Sequence, residues 1–167
     1  MAFIPYGIYQ ALFEYALEKY PQECCGVLLG TARYPETRIL HAIAGHNIAE
    51  SSGLGDARTK YVLAPGAIVR AEALAEAKGW QVVGFFHSHT HDTRGRRMRP
   101  SPSDIAMAWD HYLYLIVGVP RRKKTWMGAW WLTGKRPWQE PIQLAPEAAG
   151  DPGEQVERAR QALVEGM

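Results

Sequence analysis

The chain has 167 residues, 47% of them hydrophobic and 22% charged, with a formal net charge of +2. That composition suits one soluble domain with a real core, and a charge this small argues against a nucleic-acid or membrane-surface partner. No apolar run approaches the ~18 residues of a membrane span and the N-terminus carries no signal-peptide pattern, so a soluble cytoplasmic protein is expected.

Pro5 to Tyr20 predicts a first helix, with Ile8, Leu12, Tyr15 and Ala16 in an apolar stripe, and Pro21 ends it. Glu23 follows in the connection to an apolar strand, Gly26 to Gly30. Taken alone, it is an ordinary solvated carboxylate. Cys24 and Cys25 are adjacent, which argues against a stabilising disulfide. A thiol nucleophile paired with a histidine is one reading of them; small buried hydrophobes is the more ordinary one, and both are assigned to packing. Arg38 to His46 and Thr59 to Leu63 read as two further strands. Asn47 to Arg58 between them, rich in Ser and Gly, is expected to be a mobile loop. His41 and His46 lack ligand-like spacing and are taken as structural. Pro65, at the first position of a helix, opens a second helix that runs to Lys78 and stops at Gly79. Strand, helix and strand at this spacing imply a crossover in an α/β layered fold.

The apolar run Val82 to Phe86 then reads as a buried strand. It ends in His87-Ser88-His89. Side chains two apart on a strand share a face, so two imidazoles meet at the strand's end, as two of the three protein ligands of a catalytic zinc do. Ser101-Pro102-Ser103-Asp104 opens a segment, Ile105 to Tyr112, that reads as helical. Asp104 is the candidate third ligand, with the fourth position left to water. Each piece also has an ordinary meaning. Ser101-x-x-Asp104 with Pro102 spells a helix capping box, and histidines serve in structural hydrogen bonds. The combination favours a metal site.

Tyr112 to Val119 and Thr125 to Thr133 form a predicted hairpin across a charged turn. Trp126, Trp130 and Trp131 are read as core and sheet-face packing. Trp138 to Leu144 is a further strand, Ala145 to Gly153 a linker, and Glu154 to Val164 a short amphipathic helix. The expected organisation is one domain over residues 1–144, then the linker and helix over 145–167. Two basic clusters, Arg94, Arg96, Arg97 and Arg99, and Arg121 to Lys124, are read as solvated loops, because a nucleic-acid partner would want a larger positive excess over the whole domain. The first, beside the metal, is placed to steer an acidic protein surface.

His87-Ser88-His89 followed by Pro100-Ser101-x-x-Asp104, with Glu23 ahead of a Gly-started apolar strand, resembles the JAMM (MPN+) zinc metalloprotease family in its compact prokaryotic form. The resemblance covers about residues 5–133. Two features depart from it. Thr90-His91 stand where the family has Pro after the second His, and eleven residues rather than seven separate His89 from Ser101. The extra residues fall in the His91 to Arg99 loop, and His91 becomes a rival ligand. The resemblance implies a mixed sheet flanked by helices, similar to the cytidine deaminase architecture; deaminase chemistry itself would want His-x-Glu and Pro-Cys-x-x-Cys, and neither is present. It also implies one zinc per chain on His87, His89 and Asp104, Glu23 as the proton acceptor, and Ser101 rather than Ser103 as oxyanion donor. The implied partner is a ubiquitin-like or sulphur-carrier protein, cleaved at an amide or isopeptide bond after its C-terminal Gly-Gly and held in a thin groove that the Asn47 to Arg58 loop lies near. The alternative is a catalytically silent MPN scaffold, but such relatives lack motif residues that are all present here. Physiological substrate, leaving group, linkage and oligomeric state stay open, a homo-oligomer included.

Overall fold

The computed structural model describes residues 1–91, 99–120, 124–133, 136–146 and 150–167. Most of the two basic clusters (Arg94, Arg96 and Arg97; Arg121, Arg122 and Lys123) lies outside these residues. The elements run β1 (Ala2–Pro5), α1 (Tyr6–Lys19), β2 (Cys25–Arg33), β3 (Glu36–Gly45), α2 (Pro65–Lys78), β4 (Gln81–His89), α3 (Pro102–Met107), β5 (Leu113–Gly118), β6 (Trp126–Trp131), β7 (Trp138–Glu140), β8 (Ile142–Ala145) and α4 (Pro152–Val164). The eight strands form one mixed sheet in the order β7-β6-β5-β4-β2-β3-β1-β8. This is the expected single-domain α/β class, a mixed sheet flanked by helices.

Two apolar layers hold the helices to the sheet. On one face Leu12 and Tyr15 of α1 and Leu163 of α4 join Leu28, Phe86 and Leu115. On the other, Ala71 and Ala75 of α2 meet Val27, Phe85 and Ile116. Alanines on the buried stripe of α2 let its backbone approach the sheet closely. β4 carries a bulge: Leu28 pairs with Gly84 but Leu29 with Val82, leaving Val83 as the extra residue. Alternation restarts beyond it, so Phe85, His87 and His89 share the α2 side while Phe86 and Ser88 turn the other way.

β3 and β4 both run antiparallel to β2, so they are parallel to each other with α2 as their crossover. The crossover is as expected, but its first strand is β3. Thr59 to Leu63 is not a strand; only an isolated bridge joins Asn47 to Leu63. The reason is that the Asn47 side chain takes the groups a ladder would use, donating to the Lys60 carbonyl and accepting from the Val62 N–H. The helix after the motif is also shorter than Ile105 to Tyr112. It ends at Met107 because the Trp109 N–H donates to the Tyr114 hydroxyl at 2.7 Å instead of to the preceding turn, and His111 adopts φ 72. α2 stops as expected, at Gly79 with φ 67, a left-handed conformation that glycine adopts freely.

Trp138 to Leu144 is two strands, not one. β7 pairs with β6 and β8 with β1, at opposite ends of the strand order, yet only Pro141 separates them. The sheet is therefore coiled until its edges meet. Ala2 N–H donates to the Pro141 carbonyl there, and the N-terminal ammonium pairs with Glu140. Among the described residues no helix is long and apolar enough to cross a membrane.

Candidate metal centre

His87 and His89 stand at the end of β4, where β2 begins and β5 ends: His87 lies between Cys25 and Ile116, and His89 beside Gly118. Ser88, facing the other way, stitches this end to β2. Its Oγ accepts the Cys24 N–H at 2.8 Å and its own N–H donates to the Cys24 carbonyl at 2.9 Å. Continuing the register one step places Glu23 across from His89.

Asp104 comes from the first turn of α3, where the capping box is formed. Its N–H donates to Ser101 Oγ at 3.1 Å, and its Oδ2 accepts the Ser101 N–H at 2.6 Å. The same carboxylate faces the imidazoles. His87 Nε2 lies 3.3 Å from Oδ1 and His89 Nε2 lies 3.2 Å from Oδ2, with the two Nε2 atoms 3.1 Å apart. Capping, and a position fit for ligation, rival meanings of Ser-x-x-Asp in the sequence, are compatible in one side chain.

The fit to a metal can be tested on these distances. A tetrahedral zinc with ligands at about 2.0–2.1 Å separates its donor atoms by about 3.3–3.4 Å. The two Nε2 atoms, 3.1 Å apart, approach that edge. The carboxylate meets them through different oxygens, Oδ1 at 3.3 Å from His87 and Oδ2 at 3.2 Å from His89, and one donor atom from each residue lies within 4.8 Å of the other two. His87 is fully buried and Asp104 nearly so, while the His89 side chain is 18% exposed, so the set opens to solvent on the His89 side. Burial pushes the His87 imidazole down, towards the neutral form that ligates metal. Burial alone would raise the Asp104 carboxyl, but the imidazoles, His87 foremost, outweigh it and hold it well below the usual carboxylate range. Neutral rings and an anionic oxygen are the donor states a dication takes.

Metal-binding histidines usually donate their second ring N–H to an acceptor. Here His87 Nδ1 is buried without a partner among the described residues, and aromatic contacts fix the rings instead. Tyr61 stacks on His87 at 4.3 Å and 21°, and Trp126 meets His89 edge-on at 6.2 Å. Gly118, between His89 and Trp126 in the strand register, makes room: a Cβ there would stand 1.9 Å from Trp126 Nε1.

Glu23, 7% exposed, lies beside the set without belonging to it. Burial first, and then the Asp104 charge, push its carboxyl up to about 9. Its peptide is held on both sides by the 47–58 loop, which carries hydrogen-bonded turns. The Glu23 N–H donates to the Ala57 carbonyl at 2.7 Å, and its carbonyl accepts from Asn47 Nδ2 at 2.9 Å.

His91 stays outside the group. It is exposed, and its Nδ1 lies 2.9 Å from the Arg58 carbonyl. Cys24 and Cys25 are free, buried thiols, and burial pushes Cys24 up to about 12 and Cys25 higher still, away from the thiolate that a nucleophile needs. Asn47, Tyr61 and Trp126, which brace the centre, were not singled out in the sequence as site residues; nothing in their spacing marks them.

A family model described as prokaryotic homologs of the JAB domain matches residues 5–133. No curated protein matches the chain. Among solved structures, a protein of Desulfitobacterium hafniense superposes with TM-score 0.73 at 22% identity, covering 88% of this chain and 94% of that one. A protein of Salinibacter ruber superposes with TM-score 0.59 at 25% identity, covering 90% and 96%. A JAB1/MPN domain protein of Archaeoglobus fulgidus reaches 0.49 at 16% identity over 87% and 100%, too loose a likeness to build on. The family match runs from the start of α1 past the end of β6 and takes in every residue of the centre, and the chain belongs to the prokaryotic JAB-domain family.

Proposed function

We propose that the protein is a zinc-dependent hydrolase that cleaves an amide or isopeptide bond after the C-terminal Gly-Gly of a ubiquitin-like or sulphur-carrier protein. One observation carries the reading: a buried carboxylate, Glu23, stands next to a three-donor set, open on one side, to which it does not belong. A purely structural metal site would be closed by a fourth protein ligand and would have no use for such a neighbour.

His87, His89 and Asp104 would hold the ion. When bound, zinc supplies a Lewis acid and lowers the pKa of a water from about 15.7 towards about 7. Glu23 takes the proton from the attacking water and returns it to the leaving amine. Its carboxylate accepts no hydrogen bond among the described residues, so both oxygens are available. Ser101 Oγ already accepts the Asp104 N–H, which leaves its own hydroxyl proton free to donate to the carbonyl oxygen as charge develops there.

The deciding experiment is Glu23→Gln on the zinc-loaded protein, with a Gly-Gly amide of a carrier protein as substrate. Turnover should fall by roughly 10²–10⁴-fold while zinc content and substrate binding persist. A silent scaffold would bind partner equally in both forms and turn over in neither. An equally active, zinc-replete variant would keep the hydrolase and remove Glu23 as its base.

A further inference from the structure

We infer that Asn47 is a positioning residue for Glu23, the junction through which the 47–61 segment straps the Glu23 peptide to the strand that carries the metal ligands. Its catalytic consequence rests on the hydrolase reading above; its structural basis does not.

A carboxamide offers two donor hydrogens and two acceptor lone pairs, and Asn47 uses all four. Nδ2 donates to the carbonyls of Glu23 at 2.9 Å and Lys60 at 3.0 Å. Oδ1 accepts the N–H groups of Ala49 at 3.1 Å and Val62 at 3.0 Å. Carbonyls only accept and peptide N–H groups only donate, so these partners fix which way the amide points. An aspartate here would turn an acceptor-only oxygen towards two carbonyls.

The strap then reaches Glu23 and the strand end that carries both histidines. Ala57 holds the Glu23 N–H. The Arg58 carbonyl accepts from Thr90 Oγ1 at 2.9 Å, directly after His89, and Tyr61 stacks on His87. On the far side, Cys24 is tied to Ser88 in β4. Glu23 is thus suspended between two anchors, while its carboxylate makes no hydrogen bond of its own among the described residues. The base is aimed through its backbone, and on the strap side Asn47 holds that backbone's carbonyl as Ala57 holds its N–H. A misplacement of about 1 Å is enough to cost about 10²-fold in rate.

The test places Asn47→Asp and Asn47→Ala in the wild-type and Glu23→Gln backgrounds, zinc-loaded. Turnover of a Gly-Gly amide and hydrogen exchange of the Glu23 amide are both measured. In the wild-type background each substitution should lower kcat by about 10–100-fold with KM and zinc content unchanged. In Glu23→Gln, where no base remains to be misplaced, the same substitutions should change turnover by less than about threefold. Equal losses in both backgrounds would overturn the inference, since Asn47 would then act on the fold and not through Glu23. Asn47→Asp with wild-type kcat would overturn it too. Hydrogen exchange decides independently of turnover. In Asn47→Ala the Glu23 amide should lose at least about tenfold in protection while the β4 amides keep theirs. Retained Glu23 protection, or a loss spread through β4, would refute the strap. A wild type without turnover would sink the hydrolase reading alone, and the exchange data would still decide this one.

Discussion

Replacing Glu23 by glutamine should stabilise the metal-free protein increasingly as pH rises. Glu23 is buried, and its carboxyl is raised from 4.5 to about 9. The sign follows from linkage. A group with a raised folded pKa contributes stability that is fully present below its unfolded pKa of 4.5 and is lost as pH climbs towards about 9. Across that window the unfolded chain ionises freely and the folded chain does not. At pH 7 the cost depends only on the distance from 4.5, since the folded group is still protonated. At about 1.36 kcal/mol per pH unit, that is about 3 kcal/mol. Glutamine has nothing to titrate, so it removes the slope. His87 and Asp104 also titrate differently in the folded protein, but they are common to both forms and cancel in the difference. Urea denaturation of the two metal-free proteins between pH 5 and 8 measures it directly. The stability difference should grow by about 1.4 kcal/mol per pH unit in favour of Glu23→Gln. Zinc should shrink it, because a nearby dication favours the ionised carboxylate. Parallel curves for the two metal-free proteins would mean that Glu23 is not held away from water, and the proposed base would lose its physical foundation.

Three further outcomes are expected. His87→Ala, His89→Ala and Asp104→Ala should each lower bound zinc well below about one per chain by elemental analysis; full zinc in all three would remove the site. Gly118→Ala puts a Cβ 1.9 Å from Trp126 Nε1, so the indole must leave His89. Overpacking should cost about 1–3 kcal/mol and weaken zinc binding in a competition titration, and unchanged melting and affinity would show that Trp126 braces nothing. Ser101→Ala should lose a helix cap worth about 0.5–2 kcal/mol and lower kcat with zinc retained, whereas Asp104→Asn can still cap but should lose the metal. Normal zinc affinity in Asp104→Asn would reduce Asp104 to a cap.

The first, second and last helices and the motif strand were legible in the sequence because local chemistry specifies them: Pro65 opening α2, Gly79 closing it, and a two-residue period placing His87 and His89 on one face. The failures share another cause. Thr59 to Leu63 has the composition of a strand, yet its backbone is satisfied by the Asn47 side chain, an interaction 13 to 15 residues distant that no local pattern announces. Trp138 to Leu144 reads as one strand because the sequence does not show that the sheet coils until its edges meet at Pro141. At the site the three donors that stand together, His87, His89 and Asp104, were legible, since their types and spacing are those of a metal set. The braces were not. Tyr61 and Trp126 act through ring faces, and Asn47 through an ordinary amide, and none of these has a spacing rule.

Asp104 shows why the ordinary and the functional meaning of a motif need not compete. A metal ligand must be held in one rotamer, and ordering a free side chain costs binding energy. The capping bond supplies that order without the metal: Oδ2 is fixed on the Ser101 N–H at 2.6 Å, and in that position Oδ1 and Oδ2 stand 3.3 and 3.2 Å from the two imidazoles. The same logic extends around the centre. His87 is placed by a ladder and the Tyr61 ring, and Glu23 by hydrogen bonds from its peptide to a strap, so the Glu23 carboxylate and Asp104 Oδ1 are left without structural duties while Asp104 Oδ2 serves the cap as well. A centre built this way is organised before anything binds. Each bond that looks like mere folding, the cap above all, is then part of how the chemistry is aimed.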